Sequence, residues 1–249
     1  MPRKYSGPLQ PGRRSAYVPG VRKNAKRNNY RASAPLRSII KKVALSQSET
    51  KNNRVAATNV SLFHNQTHYV ANLLNTTQGV TASPADNSNR IGNEVIARGL
   101  SLKIQYITDP TKPNFNVRGF VFKYESEEPL SDANFWVGAN GVGSSMNRML
   151  DITDSRKVTI VKSFMITSGG KVQYNVTGES SSDDKVANFY KNIWIPLKNR
   201  KIKYDGNGSE HPKFVTYGFA TVSYDANNTF TTDINCYLSM ESRFYFKDP

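Results

Sequence analysis

From Ile234 to Lys247 the side chains alternate in a way that only an extended strand can use. Ile234, Cys236, Leu238, Met240, Ser242, Phe244 and Phe246 share one parity; Asn235, Tyr237, Ser239, Glu241, Arg243, Tyr245 and Lys247 share the other. Successive residues of a strand face opposite sides of its sheet. The first set is therefore a candidate buried face, with Ser242 as its one polar member. A strand this long and regular is expected at the centre of a sheet rather than at its edge.

Related patterns recur upstream. Leu100-Ser101-Leu102-Lys103-Ile104-Gln105 alternates apolar with polar. Residues 115–124 (FNVRGFVFKY) are apolar on both faces, as suits an internal strand between two layers. Val158, Ile160, Phe164 and Ile166 share a parity, Gly169-Gly170 breaks the run, and Val172, Tyr174 and Val176 start another, which predicts a hairpin. Phe189 to Leu197 and residues 214–224 are further strand candidates, the second closed by Asp225-Ala226-Asn227-Asn228. Polar loops at 79–93, 125–148 and 177–187 separate these runs, and a helical turn is expected from Ser131 to Trp136 with Ser131 as its cap. Many strands, tight turns and a few long loops predict an all-β sandwich.

The first 54 residues differ sharply from the rest in charge. They hold 14 basic residues against a single acid, Glu49, a net of +13, whereas the rest of the chain has 20 basic and 18 acidic residues, a net of +2. Residues 1–35 contain five prolines and three glycines, one Leu, and no Ile, Phe or Trp. Such a segment buries too little apolar surface to offset its chain entropy, so disorder is expected of it in isolation. Composition thus divides the chain into an arm (1–35), a short helix with linker (36–54) and a β domain (55–249) of about 195 residues, enough for one core.

A polycationic arm on a near-neutral body points to a polyanionic partner, and nucleic acid is the commonest. The candidate phosphate contacts are Arg3, Lys4, Arg13, Arg14, Arg22, Lys23, Lys26, Arg27, Arg31, Arg37, Lys41 and Lys42. Arginine forks onto phosphate oxygens and lysine acts as a mobile point charge. Neither reads base identity from an arm, so binding should depend on salt rather than on sequence. Tyr5, Tyr17 and Tyr30 are spaced to stack on unpaired bases. Arg22, Lys23, Lys26 and Arg27 also form the short cationic cluster that nuclear import receptors read.

Leu36, Ile39, Ile40 and Val43 fall at i, i+3, i+4 and i+7, one face of a helix that carries Arg37, Lys41 and Lys42 largely on the other. Pro35 suits its first turn. Three readings stay open: a helix packed on protein that offers its charges to phosphate, an ordinary surface helix, and a membrane-surface helix.

Other chemistries find little support. There is no run of 18 apolar residues and no apolar segment near Met1, so neither a membrane span nor a secretory signal is expected. A single cysteine, Cys236, allows no intrachain disulfide and suits an intracellular origin. Its place on the apolar parity of the last strand makes it a small hydrophobe rather than a nucleophile. His64 and His68 are four apart but lack the Glu of a zincin helix, and are expected to point the same way from a strand as surface residues. His211 precedes Pro212 in a loop. Gly138, Gly141 and Gly143 lack the Lys of a phosphate loop, and Asp151 with Asp154, and Asp183 with Asp184, read as solvated loop acids. No enzyme activity, catalytic residue, cofactor or metal ligand is therefore expected.

The order of motifs carries a resemblance. A basic Pro/Gly/Arg arm leads through a short basic helix to Glu49-Thr50-Lys51; then come Gln78-Gly79, Arg90-Ile91-Gly92-Asn93, Gly99-Leu100-Ser101-Leu102-Lys103 and finally Arg243-Phe244-Tyr245-Phe246-Lys247-Asp248. In this order the chain resembles the capsid proteins of small circular Rep-encoding single-stranded DNA (CRESS-DNA) viruses, which are in turn similar to the satellite tobacco necrosis virus coat protein. The resemblance implies an eight-stranded jelly roll and a closed icosahedral shell of about sixty copies with the arms inside on a single-stranded DNA genome. It also implies a protein of the virion and host nucleus, with a host import receptor as partner. Segment by segment it implies a first strand within 55–74, a second at 94–107, others at 115–124 and 147–166, and the last within 188–224 and 233–247. The alternatives are the coat of a small RNA or satellite virus and a non-viral β-domain protein with a basic tail.

Overall fold

The computed structural model describes residues 34–79, 89–108, 115–137, 147–167, 188–205, 209–225 and 232–248. The chain falls into two units, Met1–Ser48 and Glu49–Pro249. The described part of the first is helix α1 (Ala34–Gln47). The second is a sandwich of two four-stranded antiparallel sheets. Sheet I has the order β1 (Lys51–Phe63), β8 (Ile234–Lys247), β3 (Glu94–Thr108), β6 (Asn188–Lys203), and sheet II the order β2 (Thr67–Val70), β7 (Val215–Tyr224), β4 (Asn116–Glu125), β5 (Thr159–Thr167). Consecutive strands lie in different sheets except β4 and β5. This alternation is the strand order of a jelly roll, as the resemblance implies, built on the sandwich that the residue patterns predict.

The expected inner parity of β8 is the core. Cys236, Leu238, Met240, Phe244 and Phe246 are buried, and β8 lies between β1 and β3. They pack with Leu100, Leu102, Ile104 and Tyr106 of β3, Ile193 and Ile195 of β6, and Val117, Val121 and Phe219 of sheet II. Strand β4 is buried on both faces, as its sequence predicts. Its Phe120 and Phe122 point away from sheet I into a second cluster with Phe135, Trp136, Val158 and Val222. That cluster is capped by the short helix α2 (Asp132–Phe135). Ser131 enters α2 with extended backbone, but its side chain makes no capping bond; the first turn is closed through backbone instead, by Asn134 N–H on the Ser131 carbonyl.

Several expectations on strand limits need correction. Residues 55–74 are two strands rather than one, so the segment at 94–108 is the third strand and not the second. Asn59, Asn65 and Asn72 take positive φ of 54°, 58° and 54°. Asn tolerates that region better than most residues, so Asn59 breaks β1, Asn65 turns the chain into sheet II, and Asn72 ends β2. The polarity of this stretch follows from β1 being an edge strand, bonded to β8 alone. Residues 147–158 are a loop rather than the start of a strand. The two strand candidates at 189–197 and 214–224 are β6 and β7, in opposite sheets. β1 begins at Lys51, so residues 51–54 of the expected linker belong to the sheet. The second half of the predicted hairpin, Val172 to Val176, lies outside the described residues. Among the described residues no helix is long and apolar enough to cross a membrane.

Candidate nucleic-acid interface

Of the twelve predicted phosphate contacts, Arg3 through Arg31, with the import cluster and Tyr5, Tyr17 and Tyr30, lie outside the described residues. Arg37, Lys41 and Lys42 are placed on α1, with Arg37 and Lys42 exposed. The opposite set, Leu36, Ile39, Ile40 and Val43, is about half exposed as well, at 47, 55, 55 and 49%. The helix is thus amphipathic in pattern.

The scattered motifs of the resemblance converge at the entry to the body. Lys51, the first residue of β1, places its ammonium 2.7 Å from the Asp248 carboxylate and donates to the Asn89 carbonyl at 3.0 Å. The other Asp248 oxygen accepts from the Ile91 N–H at 3.0 Å. Gln78 bridges to Arg90, and Gly79 N–H bonds the Arg90 carbonyl. Arg90 itself is fully buried. Its guanidinium donates to the Gly92 carbonyl and, at 2.6 Å, to the Ser209 carbonyl, and lies 4.4 Å over the Tyr204 ring. Burial lowers its pKa from the ordinary arginine value. Together these bonds form a clamp that ties the start of β1 to the end of β8.

Three exposed cations of the body, Arg54, Lys103 and Arg243, share the outer face of sheet I; others, among them Arg156 and Lys162, lie elsewhere. Direct cross-strand partners share a face, so the register gives rows. One runs Arg54, Arg243, Ser101, Trp194; the next Ala56, Glu241, Lys103, Asn192; the one beyond Ser239, Gln105, Tyr190; and on the opposite side Asn52, Tyr245, Gly99. Glu241 holds both Arg54, at 3.1 Å, and Arg243, and the Arg243 hydrogen bond first of all keeps its carboxyl below the usual range. Tyr190 is 69% and Trp194 52% exposed. Tyr190 accepts a 2.8 Å bond from Gln105, and Trp194 leans on Tyr245 with ring centroids 5.6 Å apart. A Cβ at position 99 would overlap the Trp194 ring, so Gly99 is what lets the indole lie on the sheet. Sequence reasoning missed these residues, although Tyr190 and Trp194 share a parity opposite to Ile193 and Ile195.

The outer side of sheet II carries a different surface. Arg118 donates to the Met149 and Asp151 carbonyls at 2.7 and 3.1 Å, and Arg148 pairs with Asp132 at 2.8 Å. These bonds fix the 147–153 loop against the sheet while Val137, Leu150 and Ile152 remain 57, 76 and 73% exposed. Val137 and Ile152 are joined by a backbone bond, so they form one held apolar patch.

The residues weighed for enzyme or metal chemistry are dispersed. His64 is buried rather than surface-exposed, accepts from the Asp225 N–H at 3.2 Å and packs at a tilt against Tyr224, ring centroids 4.8 Å apart. The turn at Asn65 separates it from His68 on β2, so the two do not share a strand face. Burial lowers the His68 pKa and raises that of the Cys236 thiol. His211 bonds Asn75, and Asp154 is held by the Arg156 guanidinium. Among the described residues no three His, Cys, Asp or Glu side chains come together as a metal site. Asp183, Asp184, Gly138, Gly141 and Gly143 lie outside the described residues.

No protein-family model matches the chain, and no curated protein matches it. Among solved structures, a chain of Desmodium yellow mottle tymovirus is similar over 81% of this chain and 89% of its own, at 11% identity and a TM-score of 0.30. A chain of the T13 infectious bursal disease virus particle is similar over 81% of this chain and 40% of its own, at 10% identity and 0.23. One from the VP2 subviral particle of the same virus is similar over 81% and 42%, at 9% identity and 0.21. At such scores these likenesses carry no argument. The function of the chain has to be read from its strand order, charge and side-chain geometry.

Proposed function

We propose that this protein is a viral coat protein that assembles with copies of itself into a closed shell and packages a single-stranded DNA genome through its N-terminal arm. The observation that carries the proposal is the junction of two unlike parts: a jelly-roll body, Glu49–Pro249, with a net charge of +3, preceded in sequence by 48 residues with a net of +12. A soluble nucleic-acid-binding domain would distribute its cations over the fold. A coat must keep its body neutral enough to pack against copies and confine its charge to the genome side. The held apolar patch at Val137, Leu150 and Ile152 supports contacts between copies, because exposed contiguous apolar surface marks interaction sites. The reading assigns the chain no catalytic role and no cofactor. It assigns Arg22, Lys23, Lys26 and Arg27 to import into the host nucleus, in addition to genome binding. DNA is taken over RNA from the resemblance alone.

Deleting residues 1–35 tests the arm, since it removes nine positive charges and no negative ones. The body should keep its melting transition. Affinity for single-stranded DNA should fall, and the slope of log affinity against log salt should flatten by about six if all nine charges contact phosphate, at about 0.7 per charge. Equal affinity and equal slope for the intact and shortened chains would remove the arm from the account.

A further inference from the structure

We propose that the outer face of sheet I is a second nucleic-acid site, one that stacks unpaired bases on Trp194 and Tyr190 while Arg54, Arg243 and Lys103 hold the phosphates between them. The inference deepens the proposed function and rests on it for the class of ligand. Three observations carry it.

The first is chemistry. Non-specific single-strand sites combine a cationic track with aromatic platforms. Four adjacent rows of this face hold three cations, one acid and two aromatic side chains more than half exposed, with Tyr245 behind them. An exposed Trp and Tyr on a sheet normally shed water by packing, yet here the indole is set on the bare backbone of Gly99 and open on its other side. The second is shape. A shallow groove of about 310 Å³ crosses the face between Arg54, Lys103, Tyr190 and Glu241. Its lining reaches Ala57 and Thr58, beside the break of β1 at Asn59. Tyr190 lines this groove, and Trp194 lies outside its lining on the same face, four residues on along β6 and roughly 13 Å away. The third is continuity. β1 is an edge of this sheet and follows the cationic segment directly, with α1 ending at Gln47 and β1 starting at Lys51. Glu241 keeps Arg54 and Arg243 aimed along the row until phosphate competes for them.

The two tryptophans make the test direct. Trp136 is 1% exposed and Trp194 52%, so the emission open to acrylamide reports Trp194. The full-length protein is titrated with a thirty-nucleotide oligo-dT, with a base-free phosphodiester oligomer of equal charge, and with a duplex. Oligo-dT should quench the open emission and shield it from acrylamide. The base-free oligomer and the duplex should bind through charge and leave it unchanged. Trp194→Leu should weaken oligo-dT by about tenfold or more, with Trp194→Phe restoring most of the loss and neither changing the affinity for the base-free oligomer. Arg54→Gln with Arg243→Gln should lower the salt slope by about 1.4. Tight binding of oligo-dT with unaltered Trp194 emission would overturn the second site and leave the arm reading intact. Shielding of Trp194 on self-association without nucleic acid would assign the face to a second copy and overturn it too. A chain that binds none of the three at low salt would overturn both readings.

Discussion

Replacing Arg90 with Ala should unfold the body far more easily than its position in an irregular loop suggests. The guanidinium is fully buried, donates to the Gly92 and Ser209 carbonyls, and covers the Tyr204 ring at 4.4 Å. Each hydrogen bond from a charged donor contributes about 1.5–3 kcal/mol, and the cation over the ring up to about 2 kcal/mol when desolvated. Against this stands the desolvation of a buried charge, which the substitution returns. The carbonyls left without their donor push the balance towards loss, for a net of about 3–4 kcal/mol. For a domain of this size 1 kcal/mol shifts Tm by about 2–4 °C, so a fall of about 6–16 °C is expected in scanning calorimetry under conditions that keep the chain dispersed. Arg90→Lys keeps the charge without the fork and should lie between. An Arg90→Ala protein melting within a degree of the parent would refute the view that this residue clamps the loop, and with it the reason the motif at 90–93 meets Asp248.

Three further outcomes rest on single features. Ser242 Oγ is buried with no hydrogen-bond partner, so Ser242→Ala should raise stability by about 1 kcal/mol, read as a Tm higher by a few degrees; a lower Tm would mean that the hydroxyl is satisfied. Gly99→Ala should lift the Trp194 indole off β3, lowering stability by about 1–3 kcal/mol and raising the acrylamide sensitivity of its emission; an unchanged spectrum and Tm would contradict the seating described. Burial pushes the Tyr204 hydroxyl up to about 12 and raises that of Tyr106 as well. A folded pKa above the unfolded value of 10 makes the unfolded state lose its proton first, so stability should hold below pH 10 and fall between pH 10 and 12 by about 1.4 kcal/mol per pH unit for each such tyrosine. Denaturant midpoints across that range check it, and a flat profile would oppose it.

How much of the fold was legible in the sequence depended on burial symmetry. β8 and β4 were readable because one is buried strictly on alternate residues and the other on both faces, patterns that leave a direct mark on composition. β1 and β2 were not, because an edge strand tolerates polar residues and because the turn between them is made by asparagines at positive φ rather than by Gly or Pro. The 147–158 loop misled because Leu150 and Ile152 are apolar yet exposed, so their hydrophobicity reports a surface and not the core. The arm was visible as charge density alone. The face of sheet I was not, since its residues come from four strands and meet only through register. The one local sign was the shared parity of Tyr190 and Trp194 with Asn192, opposite to the buried Ile193 and Ile195.

The central claim is that copies of this chain close into a shell around single-stranded DNA. Electron microscopy of the purified full-length protein, before and after nuclease treatment, with the protected nucleic acid then released and digested by DNase or RNase, tests it most directly. Closed spherical particles of one size are expected, whose contents survive external nuclease and, once released, are destroyed by DNase acting on single strands. Protected contents destroyed by RNase would keep the shell and replace the genome. A monodisperse monomer at physiological salt, with and without nucleic acid, would contradict the claim.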